Sequence, residues 1–185
     1  MTADPVMDDS EDLLASIRAA RSGDSHAFEE IMLATERCVA SLAWHILGDA
    51  EEVKEALQET FLRVFRHLDR YDERRDFFGW LYRIAVNVCR DLHSRRRRWR
   101  FFLPIEHAAE VSVAEEDFVR KDDVARLMLA IDTLPQKERF AIILRDIEEL
   151  PTEEVAAILG SSPATVRVQI SNARARIRKF MESGR

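Results

Sequence analysis

Apolar residues recur along this chain at steps of three and four, and that spacing constrains the fold more than any other feature. Between positions 49 and 100, Val53, Leu57, Phe61, Val64 and Leu68 follow one another at steps of four, four, three and four. Leu81, Ile84, Ala85, Val88 and Leu92 form a second such series. At about 100° per residue each series lines one side of a helix, whereas a half-buried strand needs strict alternation. No run of alternating β-branched residues supplies it. The chain is therefore read as all-α, two small helical domains joined by a flexible linker. The 46% apolar content suffices for two compact cores, and 5 glycines and 5 prolines leave long helices uninterrupted.

Taken from the start, residues 1–10 are polar and acidic and are expected to form a disordered leader. A helix over 11–21 should stop at Gly23 and Asp24. Asp24 or Ser25 then caps a longer helix whose apolar face runs from Phe28 through Ile31, Val39 and Leu42 to Ile46, and Gly48 ends it. Asp49 caps the next helix, with Glu52 at the capping-box position. An Asp/Arg-rich loop over 69–76 separates it from the helix of the second series. Residues 101–114 have no period and contain Pro104, so they read as a linker. From Arg96 to Ala114 its extended reach is at most ~60 Å, enough to serve two DNA sites about two turns apart at ~34 Å per turn.

The second domain, residues 115–182, opens with a helix carrying Phe118, Val124, Leu127, Met128 and Ile131. Pro135 starts another that carries Phe140, Ile143, Leu144 and Ile147. Thr152 is expected to cap a short helix ending at Gly160, and Ser162 with Pro163 to start the last one. Two helices about a glycine turn have the spacing of a helix-turn-helix. Val166, Ile170, Ala173 and Ile177 would face inward. Thr165, Arg167, Val168, Ser171 and Asn172 then face outward, where an early recognition helix meets base edges, and Arg174 and Arg178 flank them at phosphate positions.

The net charge of −6 argues against a simple nucleic-acid-binding domain. The average conceals a segregation: 1–62 carry 4 basic and 14 acidic groups, 63–100 carry 12 and 5, 101–150 carry 6 and 12, and 151–185 carry 6 and 3. Basic segments alternate with acidic ones. Such a chain should bind DNA weakly by itself and better beside a partner that docks both. In the first basic segment Arg83, Asn87, Arg90, Ser94 and Arg97 share one helix face. Arg95, Arg96, Arg97 and Arg98 then run into Trp99, Arg100, Phe101 and Phe102, a mixture suited to phosphates and unstacked bases. Tyr71, Phe77 and Phe78 flank the charged loop tip.

Catalytic and metal patterns are missing from the sequence. Cys38 and Cys89 lie among apolar neighbours in no ligand spacing and read as structural thiols, and the five histidines form no HExxH pattern. No enzymatic activity, cofactor, metal or small-molecule substrate is expected. No apolar run approaches ~18 residues and the acidic N-terminus lacks signal-peptide regions, so no membrane insertion and a cytoplasmic location are expected.

The words LQETFLRVFRHLDRYD and FFGWLYRIAVNVCRD resemble region 2 of the extracytoplasmic-function (ECF) sigma factors, promoter-recognition subunits of bacterial RNA polymerase. EEVAAILGSSPATVRVQISNARARIR resembles their region 4. Region 2 would occupy 11–100 and region 4 115–182, nearly the whole chain. The resemblance implies that Glu55, Gln58, Glu59 and Leu62 dock on core RNA polymerase. It implies that Tyr71, Phe77, Phe78, Arg83, Asn87, Arg90 and Arg95 to Arg98 serve the minus-ten element of promoter DNA. The minus-thirty-five element would fall to the last helix, and an anti-sigma factor is an implied partner. Glu55 and Ala56 stand where the family commonly has Asp and Leu. Val168, Gln169 and Asn172 stand where it often has Ser, Arg and Arg, which implies a different minus-thirty-five preference and fewer phosphate contacts. A stand-alone helix-turn-helix regulator explains the C-terminal half equally well, but leaves the Arg/Asn face and the arginine run without a purpose.

Overall fold

The computed structural model describes residues 9–100 and 118–183, all in helices and short turns. Helices α1 (Asp9–Arg21), α2 (Ser25–Leu47), α3 (Ala50–His67) and α4 (Phe77–Arg100) form the N-terminal unit, with a short 3₁₀ turn, Leu68–Arg70, after α3. Helices α5 (Phe118–Asp132), α6 (Gln136–Ile142), α7 (Thr152–Leu159) and α8 (Pro163–Glu182) form the C-terminal unit. Residues 9 and 10 of the expected leader open α1. The rest of the leader and the expected linker over 101–114 lie outside the described residues.

Local chemistry sets most boundaries. The Asp24 carboxylate accepts from the amides of His26 and Ala27, and that of Asp49 from Glu51 and Glu52, so each satisfies donors that a helix start leaves open. Gly48 closes α2 at φ 67, a left-handed conformation that costs glycine little. Ser162 Oγ accepts from the Thr165 amide and Pro163 occupies the first turn of α8. Thr152, expected as a cap, is instead the first residue of α7, with Pro151 at the cap position. Asp76, the last residue of the expected 69–76 loop, accepts from the Gly79 amide at the start of α4.

The apolar stripes meet in one continuous core rather than the two expected, and Val124 and Leu127 of the apolar series expected in α5 stay exposed. Ile17, Ile31, Leu42, Ile46, Val64, Leu81 and Val86 fill the N-terminal bundle. Phe140, Ile143, Leu144, Val155 and Val166 fill the C-terminal one, and the two clusters join. Cys89 is buried among them and burial pushes its thiol up to about 12, consistent with an unreactive structural cysteine.

Charged residues with buried side chains cross the seam. Arg139, 5% exposed, donates to the Ile46 carbonyl oxygen, lies 3.3 Å from His93 Nε2 and pairs with Asp132 at 2.5 Å. Glu148 reaches back to α2 and α4, with His45 Nδ1 at 3.0 Å, Ser41 Oγ at 3.3 Å and Tyr82 OH at 3.5 Å.

The periodicity of Phe140, Ile143, Leu144 and Ile147 predicts one regular helix, but only Gln136–Ile142 is α-helical. Ile143–Ile147 widen into a π turn, closed by the Glu148 amide on the Ile143 carbonyl at 2.9 Å. The extra residue in that turn points Asp146 towards α8, while Glu148 faces the N-terminal unit.

Candidate nucleic-acid interface

At the tip between α3 and α4 the aromatic residues divide into buried and exposed. Tyr71 and Phe77 are 4% and 5% exposed, packed edge to face at 5.2 Å and both against Trp80. A ring closed over by its neighbours has no free face for a base, so this burial does not fit the minus-ten role that the resemblance implies for Tyr71 and Phe77. Desolvation pushes the Tyr71 phenol up, and its hydroxyl donates to the Arg75 carbonyl oxygen at 2.6 Å. Phe78, 39% exposed, keeps an accessible ring beside Phe77.

Sequence reading overlooked what holds the tip. Arg21 of α1 donates to the carbonyl oxygens of Leu68 and Tyr71 and pairs with Glu73 at 2.8 Å, with Arg18 on the same carboxylate. The carboxyl of Glu73 is held below its ordinary value, first by the hydrogen bond from Arg18. The signal in the sequence was weak, since Arg21 sits at the polar end of a short helix more than forty positions from its partners.

Along α4, Arg83 is exposed while Asn87 and Arg90 are half-buried, the last with its guanidinium 5.7 Å from the centre of the Phe140 ring. In this arrangement the C-terminal unit therefore covers part of the predicted DNA stripe. The side chains of Arg96, Arg97 and Arg98 lie outside the described residues.

Glu55, Gln58, Glu59 and Leu62 do share a surface, a groove between α3 and α4 also lined by Arg63, Asp91 and Arg95. Glu59 and Asp91 hold Arg63 at 2.7 and 3.2 Å. Arg95 Nη2 donates to both oxygens of Glu55, at 2.8 and 2.6 Å, and that bond pushes its guanidinium further up. A residue expected to meet polymerase and one expected to meet DNA are thus partners of each other.

On α8, Thr165, Arg167, Val168, Ser171, Asn172, Arg174 and Arg178 are all exposed, and Val166, Ile170 and Ala173 are buried beneath them. Arg145, Thr152, Arg167, Ser171, Arg174 and Arg178 line a groove along this face. Gln169 is half-buried, so its departure from the family wording lies to the side of the exposed face, whereas Val168 and Asn172 lie on it. The arrangement offers phosphates a row of guanidiniums and base edges a short set of small polar and apolar groups. Among the described residues no group of three or more His, Cys, Asp or Glu side chains could hold a metal ion, and no helix is long and apolar enough to cross a membrane.

Comparison with known proteins adds two family matches, sigma-70 region 2 over residues 31–100 and sigma-70 region 4 over residues 125–177. The chain is 30% identical over 175 residues to the ECF RNA polymerase sigma factor SigW of Bacillus subtilis, covering 88% of this chain and 93% of that protein. It is 37% identical over 147 residues to the ECF RNA polymerase sigma factor SigE of Mycolicibacterium smegmatis, covering 77% of this chain and 57% of the longer relative. Among solved structures, CnrH in complex with the cytosolic domain of CnrY superposes with a TM-score of 0.69 at 27% identity, covering 91% of this chain and 96% of CnrH.

Proposed function

The chain belongs to the ECF sigma factors, promoter-recognition subunits of RNA polymerase, and from that premise we propose how its surfaces divide the work. Region 2 spans residues 11–100, region 4 spans 115–182, and 101–114 link them. The groove of Glu55, Gln58, Glu59 and Leu62 docks on core polymerase. The exposed face of α8 reads the minus-thirty-five duplex, Arg83, Asn87, Arg90 and Arg95 to Arg98 follow the minus-ten strand, and Phe78 stacks on a base as the strands part. The role is recognition and opening rather than catalysis, in the cytoplasm where polymerase works.

The observation that supports this division best is the placement of two basic faces on separate helices, α4 in one unit and α8 in the other. A two-part asymmetric site suits such a chain, while a dimeric regulator would need symmetric half-sites. CnrH has been solved with the cytosolic domain of CnrY bound, and an anti-sigma partner that covers these faces until released is part of the proposal here.

The test is a titration of a two-part promoter carrying a fluorescent base reporter, with and without core polymerase. Tight binding and opening are expected only with core, and Asn87→Ala is expected to abolish opening. Tight binding of a symmetric duplex by the chain alone would reverse the reading.

The Glu55–Arg95 pair carries a second prediction. Glu55→Gln should weaken core docking and at the same time free Arg95, raising the affinity of the isolated chain for a single-stranded minus-ten oligonucleotide by about two- to fivefold, the worth of an exposed pair. Fluorescence anisotropy measures both, and an unchanged oligonucleotide affinity would remove Arg95 from the DNA path.

A further inference from the structure

Three basic side chains on α8 are held by carboxylates of their own unit. Arg167 pairs with Glu153 at 3.0 Å, Arg176 with Glu138 at 3.0 Å and Arg174 with Asp146 at 2.7 Å. The last pair is a fork: Arg174 Nε and Nη2 donate to the two carboxylate oxygens of Asp146 at 2.9 and 2.7 Å. Parallel bonds of this kind are also how an arginine grips a phosphate. Arg178, one turn further along the groove, makes no ion pair among the described residues.

We propose that Asp146 is an internal stand-in for DNA phosphate: it occupies Arg174 in the free protein and is displaced when α8 enters the duplex. It thereby sets how tightly, and with what salt dependence, the upstream element is held. The inference rests on the reading of α8 as the duplex-reading helix.

The physical reason lies in the exchange of partners. An arginine that binds phosphate from water releases DNA counter-ions, and log K falls with log salt by about 0.9 for each phosphate neutralised. Arg174 arrives already neutralised. When it moves to phosphate it leaves behind a bare carboxylate, which gathers a cation of its own close to an anionic duplex, so most of the counter-ion release is cancelled. The π turn gives the arrangement its geometry, because Asp146 reaches α8 from that turn while Glu148 is engaged on the other side. A rigid support that merely aimed Arg174 would behave in the opposite way, since its loss would weaken binding.

The experiment uses holoenzyme assembled from core polymerase and the full chain, with affinity for a labelled promoter duplex measured across a salt series. Asp146→Asn keeps the side-chain shape and an acceptor for Arg174. It is expected to bind about two- to fivefold tighter, with a salt slope steeper by about 0.9. Asp146→Asn combined with Arg174→Ala should lose that gain, because the phosphate contact freed by the first change is then absent. Weaker or unchanged binding by Asp146→Asn, with the slope unmoved, overturns the proposal.

Arg178→Ala separates this inference from the reading beneath it. Arg178 has no competing carboxylate among the described residues, so its loss should weaken binding and make the slope shallower by about 0.9. If it does and Asp146→Asn fails to tighten binding, the phosphate stand-in is wrong and the DNA-reading helix survives. If Arg178→Ala has no effect, α8 is not the duplex-reading helix and both fall together.

Discussion

Arg139→Ala is expected to destabilise the folded chain by about 2–4 kcal/mol, more than any other single charged-to-alanine change on the seam. The guanidinium is 5% exposed and serves the Ile46 carbonyl, His93 and Asp132 at once. Truncation leaves a buried carbonyl without that donor and opens space between α2, α4 and α6. Asp132 adds less to the loss, because its carboxylate is 56% exposed and rehydrates when abandoned. Urea denaturation of the full chain measures the effect. Because Arg139 ties the two units together, the variant should also lose the single cooperative transition that a shared core implies, with the units melting separately. A single transition at an unchanged midpoint would show that the seam is held by apolar contact alone.

Phe78→Ala carries the second large effect. Stacking of one base on an aromatic ring is worth ~1–3 kcal/mol, so the equilibrium for promoter opening by the holoenzyme should fall by about 5- to 150-fold. Thermal stability should stay close to that of the natural chain, since the ring is 39% exposed. Phe77→Ala should do the reverse. Its ring is 5% exposed and packs between Tyr71 and Trp80, so its loss costs about 3–5 kcal/mol of stability and affects opening only through the fold. The fluorescent base reporter and a thermal melt, run on both variants, separate the two. Loss of opening with Phe77→Ala at unchanged stability would place the stacking ring one residue earlier than proposed here.

This pair of neighbours illustrates why the site was only partly legible in the sequence. An aromatic beside a charged loop suits a base and a core equally well, and composition does not distinguish them. The outcome depended on Arg21, which ties the loop down from α1 and turns Tyr71 and Phe77 under it. The α8 face was more legible. Its outward residues follow from one helix period, and Val166, Ile170 and Ala173 fix which side is buried, so Arg167, Ser171, Arg174 and Arg178 were found where expected. The ion pairs on that face were not, because Asp146 stands 28 positions from Arg174 and reaches it only through a π turn that an apolar spacing of three and four does not reveal.

The sequence by itself determined the features that depend on neighbours within about one helical turn. These include the helical class, the caps at Asp49 and Ser162, the helix ends at Gly48 and Gly160, and the buried stripes of α2, α3, α4 and α8. Hydrogen bonds at helix ends and side chains three or four positions apart are local interactions, so their pattern can be read from the chain alone. Only the tertiary structure decided that the two units share a core, that Arg139 and Glu148 are seam residues rather than surface charges, and that Arg90 lies against Phe140. Burial of a charge depends on which distant segment comes to cover it and with what partner. An arginine or glutamate on an amphipathic helix looks the same in sequence whether water or another domain meets it.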